Sequence, residues 1–191
     1  MATRKPVSAT LALLAATLLV PALPCSGVHV KDPMKLMWQR PEVGKGPHDF
    51  TLPDPLGTEH RLSDHRGEVV LLSFWSCYAD SCSTAVRSIN GLLEEFGEEG
   101  LSALTICSEV PPALAKETYR GLQAQCGAGQ TILVDREKEV TDKYRLHTQS
   151  LPMMYLVGRE FLIREIITEN ARLREKRFRK KIERLLSGAS E

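Results

Sequence analysis

The chain has 191 residues, 42% of them hydrophobic, with 25 Lys+Arg against 24 Asp+Glu. That length suits one compact domain with appendages and leaves little room for two. The near-balance of charge excludes a global field that would draw nucleic acid or an anionic membrane surface.

At the amino end Arg4 and Lys5 precede the apolar run Leu11 to Val20, and Pro21, Pro24 and Gly27 follow. A basic start, a short apolar stretch and then helix breakers are the layout of a secretory signal peptide, so residues 1–27 are expected to direct export. The expected destination is the periplasm, the cell envelope or the outside of the cell. An apolar run of about ten residues is short of the about 20 that span hydrocarbon, which argues against a permanent anchor. Cys25 stands where a lipidated cysteine would follow a signal segment, although Pro24 replaces the small residue expected beside it. Membrane attachment therefore enters only through lipidation at Cys25.

Residues 28–48 mix Lys, Asp, Pro, Gly and Trp without a period and read as a leader or linker. The domain is expected from Asp49 to Ser187, with residues 188–191 as a tail. Phe50 to Leu52, a turn at Pro53 to Gly57 and His60 to Leu62 predict a short hairpin that caps one sheet edge. Val69 to Trp75 is a continuous apolar run, as in a central strand buried on both faces. Val86, Ile89, Leu92, Leu93 and Phe96 then recur at helical spacing, with Ser81 or Ser83 to cap the start and Gly97 to end the helix.

The alternation continues with a strand at Leu101 to Cys107, a helix over Pro112 to Cys126, a strand at Thr131 to Asp135 and a short helix over Lys138 to Arg145. Strands at Met153 to Val157 and Phe161 to Thr168 flank a turn at Gly158. A last helix over Asn170 to Leu186 places Leu173, Phe178, Ile182, Leu185 and Leu186 broadly on one side. Its basic residues, Arg172, Arg174, Lys176, Arg177, Arg179, Lys180, Lys181 and Arg184, are diluted by Glu169, Glu175 and Glu183 and read as a solvated face with ion pairs. This order predicts an α/β three-layer sandwich with a central mixed sheet and an N-terminal β-hairpin extension.

Within that order, Phe50-Thr51-Leu52-Pro53-Asp54 and the run from Leu62 through His65, Gly67 and Val70 to Phe74-Trp75 resemble the opening of TlpA-like thiol-disulfide oxidoreductases and related AhpC/TSA redoxins. Leu151-Pro152-Met153-Met154-Tyr155-Leu156-Val157 resembles their second landmark, the proline segment that faces the active site. The resemblance covers roughly residues 48–187 and implies a thioredoxin-like fold. It also implies a cis bond before Pro152, an exposed backbone there that aligns an incoming extended peptide, and protein thiols or disulfides as substrates alongside a redox partner protein.

The family's strand ends in Phe-Trp-Ala-x-Trp-Cys-x-x-Cys, so Phe74-Trp75 sets the register: Cys82 takes the second cysteine position and Ala79 the first. The first is the nucleophile, because free amides and the dipole at a helix start favour its thiolate. Alanine cannot replace it. Cys77 stands two residues earlier and gives a C-x4-C pair, Cys77 and Cys82, with Asp80 between them to raise a thiol pKa. A disulfide needs Cα atoms about 4.4 to 6.8 Å apart, and the spacing permits that without requiring it. Bridged, the pair would stabilise the fold by about 2 kcal/mol or serve as a labile redox bond; unbridged, both are buried small residues.

Three functions stay open on these residues. In the first, Cys77 attacks, Cys82 resolves, and Trp75, Tyr78, Leu151 and Pro152 hold the substrate chain. In the second, Ala79 marks a domain that kept the peptide-docking face and binds client proteins without exchanging disulfides. In the third, Cys77, Cys82 and His147, with Met153 or Met154, form a copper site like that of Sco-type chaperones, although those have three residues between the cysteines. A peroxidase reading lacks its nucleophile, since Ser76 would be the hydroxyl but Leu72 and Ala79 replace the proline and the cysteine. Cys107, at the end of its strand, is expected to approach the Cys82 helix, and Cys126 lies at a helix end. No motif demands a cofactor or a resident metal, and none indicates a nucleic-acid partner.

Overall fold

The computed structural model describes residues 39–76, 80–108 and 129–188. The strands are β1 (Thr51–Pro53), β2 (Glu59–Arg61), β3 (Val69–Ser76), β4 (Leu101–Ser108), β5 (Gln130–Asp135), β6 (Met153–Val157) and β7 (Ile163–Ile167). The α-helices are α1 (Asp80–Phe96), α2 (Glu139–Lys143) and α3 (Lys176–Leu186). Five strands form one sheet in the order β5-β4-β3-β6-β7; β3, β4 and β5 run parallel, while β6 and β7 run antiparallel to their neighbours. This is the mixed α/β sandwich expected. The helix expected over Pro112 to Cys126 lies outside the described residues.

Every residue of β3 is buried, which is what a strand covered on both faces requires. Its side chains alternate between two cores. Val70, Leu72 and Phe74 join Phe50, Leu52, Leu62, Tyr144 and Tyr155, and Val69 and Leu71 join Ile89, Leu92 and Phe96 of α1 and Phe178 and Ile182 of α3. Ile89, Leu92 and Phe96 recur at the spacing of one helix face, so α1 and α3 cover one side of the sheet. The serines expected to cap α1 lie inside its first turn, because the helix starts at Asp80. At its other end Gly97 donates to the Leu93 carbonyl at 2.8 Å. A Cβ at Gly97 would lie 2.5 Å from that oxygen, so only glycine fits.

The hairpin forms as a two-stranded sheet of its own, not hydrogen-bonded into the main one. Phe50, Leu52 and Leu62 sink into the core beneath one face, and β1 approaches β5. Upstream of the expected boundary at Asp49, the chain is already packed. Pro41 and Pro47 are buried, Gly44 donates to the Ile163 carbonyl, and Ile163 donates back to Lys45, each at 2.8 Å.

The strand expected from Phe161 begins at Ile163 instead. Phe161 has φ of 61° and donates to Gly158 in the preceding turn, with the Arg66 guanidinium 4.0 Å from its ring centroid. The short helix is trimmed at both ends by Lys138 and Arg145, which have positive φ.

The last helix is also corrected: a 3-10 turn covers Asn170–Arg174, and α3 begins at Lys176 after an extended Glu175. Arg172 and Lys181 both bind the Glu165 carboxylate of β7, at 2.7 and 3.1 Å. On one unbroken helix, residues nine apart lie about 180° round the axis from each other. The break brings both cations to one acid and turns Leu173 into the core with Phe178. Arg179 pairs with Glu95 of α1, so part of the basic face is ion-paired as expected.

Candidate functional site

One end of the sheet gathers the expected chemistry. The carboxyl ends of β3, β4 and β5 lie side by side, with Ser76, Ser108 and Asp135 in register. Phe74 of β3 pairs with Met153 of β6, so the Leu151-Pro152 segment that leads into β6 runs past the end of β3. The Leu151–Pro152 peptide is cis, as expected. Cys77 follows directly on β3, and Cys82 is the third residue of α1. Cys77, Tyr78 and Ala79 lie outside the described residues, as do Cys25 and Cys126. In parallel sheets such carboxyl ends are where ligands collect.

The two described edges of this site differ in access. Leu151 is half-buried and Pro152 buried. Trp75 is only 4% exposed, and its indole Nε1 is buried with no hydrogen-bond partner among the described residues. Its bulk belongs to the buried core. Cys107 is in register with Trp75, fully buried, with its Sγ 3.9 Å from the Ser108 carbonyl. Strand alternation puts Cys107 on the sheet face that α1 covers, since Ala103 of the same strand packs there.

Asp135 is 1% exposed and fully engaged by α2: Oδ2 accepts from the Thr141 amide at 2.8 Å and its hydroxyl at 2.6 Å, and Oδ1 from the Val140 amide at 3.3 Å. It satisfies the open amides at a helix start and does not reach for substrate. Behind Phe74, burial drives the Tyr144 phenol well above its ordinary pKa, with Tyr155 and Asp49 adding to the shift. Burial likewise pushes Tyr155 up to about 12, against a small opposing pull from Arg40. Both phenols therefore stay un-ionised at neutral pH.

The copper set is not drawn together by the described residues. Met153 and Met154 point into opposite cores, and His147 is exposed on a loop where its backbone engages Ser150. Among the described residues no group of three His, Cys, Asp or Glu could hold a metal ion. Among them, too, no helix is long and apolar enough to cross a membrane.

One cluster went unread in the sequence. Gln130, 2% exposed at the start of β5, accepts from Thr105 Oγ1 at 2.9 Å and donates through Nε2 to the Val86 carbonyl at 3.1 Å and Asn90 Oδ1 at 2.6 Å. The signal was available: a glutamine opening an apolar strand, opposite a strand with a threonine amid aliphatics.

The AhpC/TSA family profile matches residues 43–166. The thiol-disulfide oxidoreductase ResA of Geobacillus kaustophilus is 31% identical over 126 residues, covering 66% of this chain and 69% of the relative. The ResA of Geobacillus thermodenitrificans is 30% identical over the same shares. Among solved structures, the pneumococcal exposed lipoprotein thioredoxin of Streptococcus pneumoniae is 26% identical, with a TM-score of 0.53 over 63% of this chain and 88% of that one. The thioredoxin domain of a thiol-disulfide oxidoreductase from Bacteroides vulgatus shares the fold, with a TM-score of 0.61 over 76% of this chain and 98% of that one, at 18% identity.

Proposed function

From the premise that the chain belongs to the AhpC/TSA family, we propose that it is an exported thiol-disulfide oxidoreductase that works through Cys77 and Cys82. The observation that carries this reading is the pairing of β3, whose end leads into Cys77 and on to Cys82 in α1, with β6, whose start follows the cis Leu151–Pro152 peptide. The similarity to ResA proteins supports the same chemistry.

The exchange runs in two steps. The Cys77 thiolate attacks one sulfur of a substrate disulfide, forms a mixed disulfide and releases the other substrate sulfur as a thiolate. The Cys82 thiolate then attacks Cys77 Sγ, so that the intramolecular bond forms and the second substrate thiol leaves. Two electrons pass to the substrate, and a dithiol redox partner restores the reduced pair by the reverse sequence. The Leu151-Pro152 backbone and Tyr78 would hold the substrate chain in extended form, with Trp75 as the floor. Residues 1–27 would direct export and residues 49–187 carry the catalytic fold.

The test is mass spectrometry of the purified mature protein after thiol alkylation at a series of defined dithiol/disulfide potentials. A reversible Cys77–Cys82 bond with a potential above about −300 mV supports exchange. Thiols that stay free at every potential, or a bond that resists all reductants, sink it. Ala79 at the first-cysteine position favours a second reading, a client-binding domain without turnover. Replacing Cys77 by Ser abolishes turnover under the first reading and leaves client binding intact under the second.

A further inference from the structure

We propose that Gln130 is a positioning residue for Cys82: its buried amide locks α1 against β4 and β5 and thereby sets the thiol/disulfide equilibrium of the Cys77/Cys82 pair. This rests on the redox reading of that pair.

Cys77 is tied to β3 and Cys82 to α1, so any shift of α1 over the sheet changes the distance between them. A disulfide tolerates Cα separations of only about 4.4 to 6.8 Å. The apolar side chains that hold α1 down, Ile89, Leu92 and Phe96, contribute non-directional contacts that a sliding helix can exchange for others. Gln130 makes directional ones. Its backbone is paired with Ala103 of β4, its Oε1 takes the Thr105 hydroxyl, and its Nε2 donates to Val86 and Asn90 on successive turns of α1. Val86 lies one turn after Cys82, and in a regular helix its amide donates to the Cys82 carbonyl. The lock therefore acts one turn along α1 from Cys82, where Gln130 and Val86 are buried, so their hydrogen bond is not readily replaced by water.

Three variants test it, read by the equilibrium of the Cys77–Cys82 bond with a reference dithiol. Gln130→Leu removes every side-chain bond of the lock, and Gln130→Glu keeps its shape but replaces the donor with an acceptor facing the Val86 carbonyl. Each is expected to shift the equilibrium by about tenfold, or about 30 mV for two electrons. Thr105→Val removes the leg that does not touch α1, and is expected to lower stability while moving the equilibrium by less than about twofold. If Gln130→Leu does not fold, Asn90→Ala, which removes a leg on the helix and leaves Gln130 in place, carries the same expectation. Folded Gln130 variants with the parent equilibrium overturn the proposal, as does a Thr105→Val shift as large as theirs. A parent protein with no reversible bond would sink the oxidoreductase reading instead. The pH profile of Cys82 alkylation then decides the positioning role: a profile moved by Gln130→Leu and not by Thr105→Val upholds it, and one unmoved by either refutes it.

Discussion

Tyr144 donates its hydroxyl hydrogen to the backbone carbonyl of His48 at 2.9 Å, and the two rings meet edge-on with centroids 5.5 Å apart. The bond joins the chain upstream of the hairpin to the residue that closes α2. Tyr144 is fully buried and His48 half-buried, so a lost hydroxyl removes this tie between the two segments. Tyr144→Phe is expected to lower unfolding stability by about 1 kcal/mol, and Tyr144→Ala by about 4 kcal/mol through the cavity beside Phe74 and Tyr155. Urea denaturation measures both; equal losses would show that the hydroxyl, not the ring, carries the contact.

Acid should unfold the protein through Glu165. Burial raises its pKa, but hydrogen bonds and charge from Arg172 and Lys181 outweigh that and leave it below the ordinary value of 4.5. A carboxylate lowered on folding contributes stability above its unfolded pKa, and the contribution is lost as pH falls through the folded value. Melting temperature should therefore fall steeply below about pH 4.5, and Glu165→Gln should start lower at pH 7 and show a shallower acid limb. Parallel curves for the two proteins would remove Glu165 from the account.

At the alkaline end the sign reverses. Tyr155 has its pKa raised by burial from 10.0 to about 12, so its contribution is whole below about pH 10 and falls away as pH climbs toward 12. Absorbance at the phenolate band should show Tyr144 and Tyr155 ionising only together with loss of circular dichroism. Phenolate that forms at both sites while the fold persists would contradict their burial.

Gly97→Ala should be costly for a surface turn. The added Cβ meets the Leu93 carbonyl oxygen at 2.5 Å, and that oxygen is backbone, fixed by the end of α1. A loss of about 2 kcal/mol is expected from the shift the helix end must make. An unchanged urea midpoint would mean that α1 can end one residue earlier without penalty.

Ala79→Cys should restore the family's C-x2-C spacing with Cys82 and raise disulfide-reduction turnover by about tenfold or more. In the unaltered motif, Cys82→Ser should trap a mixed disulfide at Cys77, visible as added mass on that peptide. A trap at Cys82 in Cys77→Ser would reverse the two roles.

The fold was legible wherever the signal is contiguous. The apolar run that became β3, the helical spacing of Ile89, Leu92 and Phe96, and the Leu151-Pro152 landmark all report short-range pattern, and each element formed in place. In sequence, Cys77 directly follows β3 and Cys82 is the third residue of α1. Trp75 reads from sequence as a neighbour of the substrate surface or, more simply, as core, and it is 4% exposed. The hairpin was expected at a sheet edge, and its packing depends on Phe50, Leu52 and Leu62 finding Val70 and Phe74.

Sequence alone determined the class of fold, and the resemblance to the family aligns Ala79 with its first cysteine. The fold class depends on residue type and on spacing over a few positions. Tertiary structure decided the break before α3, the use of Arg172 and Lys181 by one glutamate, the packing of residues 41–48 and the Gln130 lock on α1. Each of those depends on groups far apart in the chain that lose water together. Their pairing energy exists only once the sheet has brought them within hydrogen-bond reach.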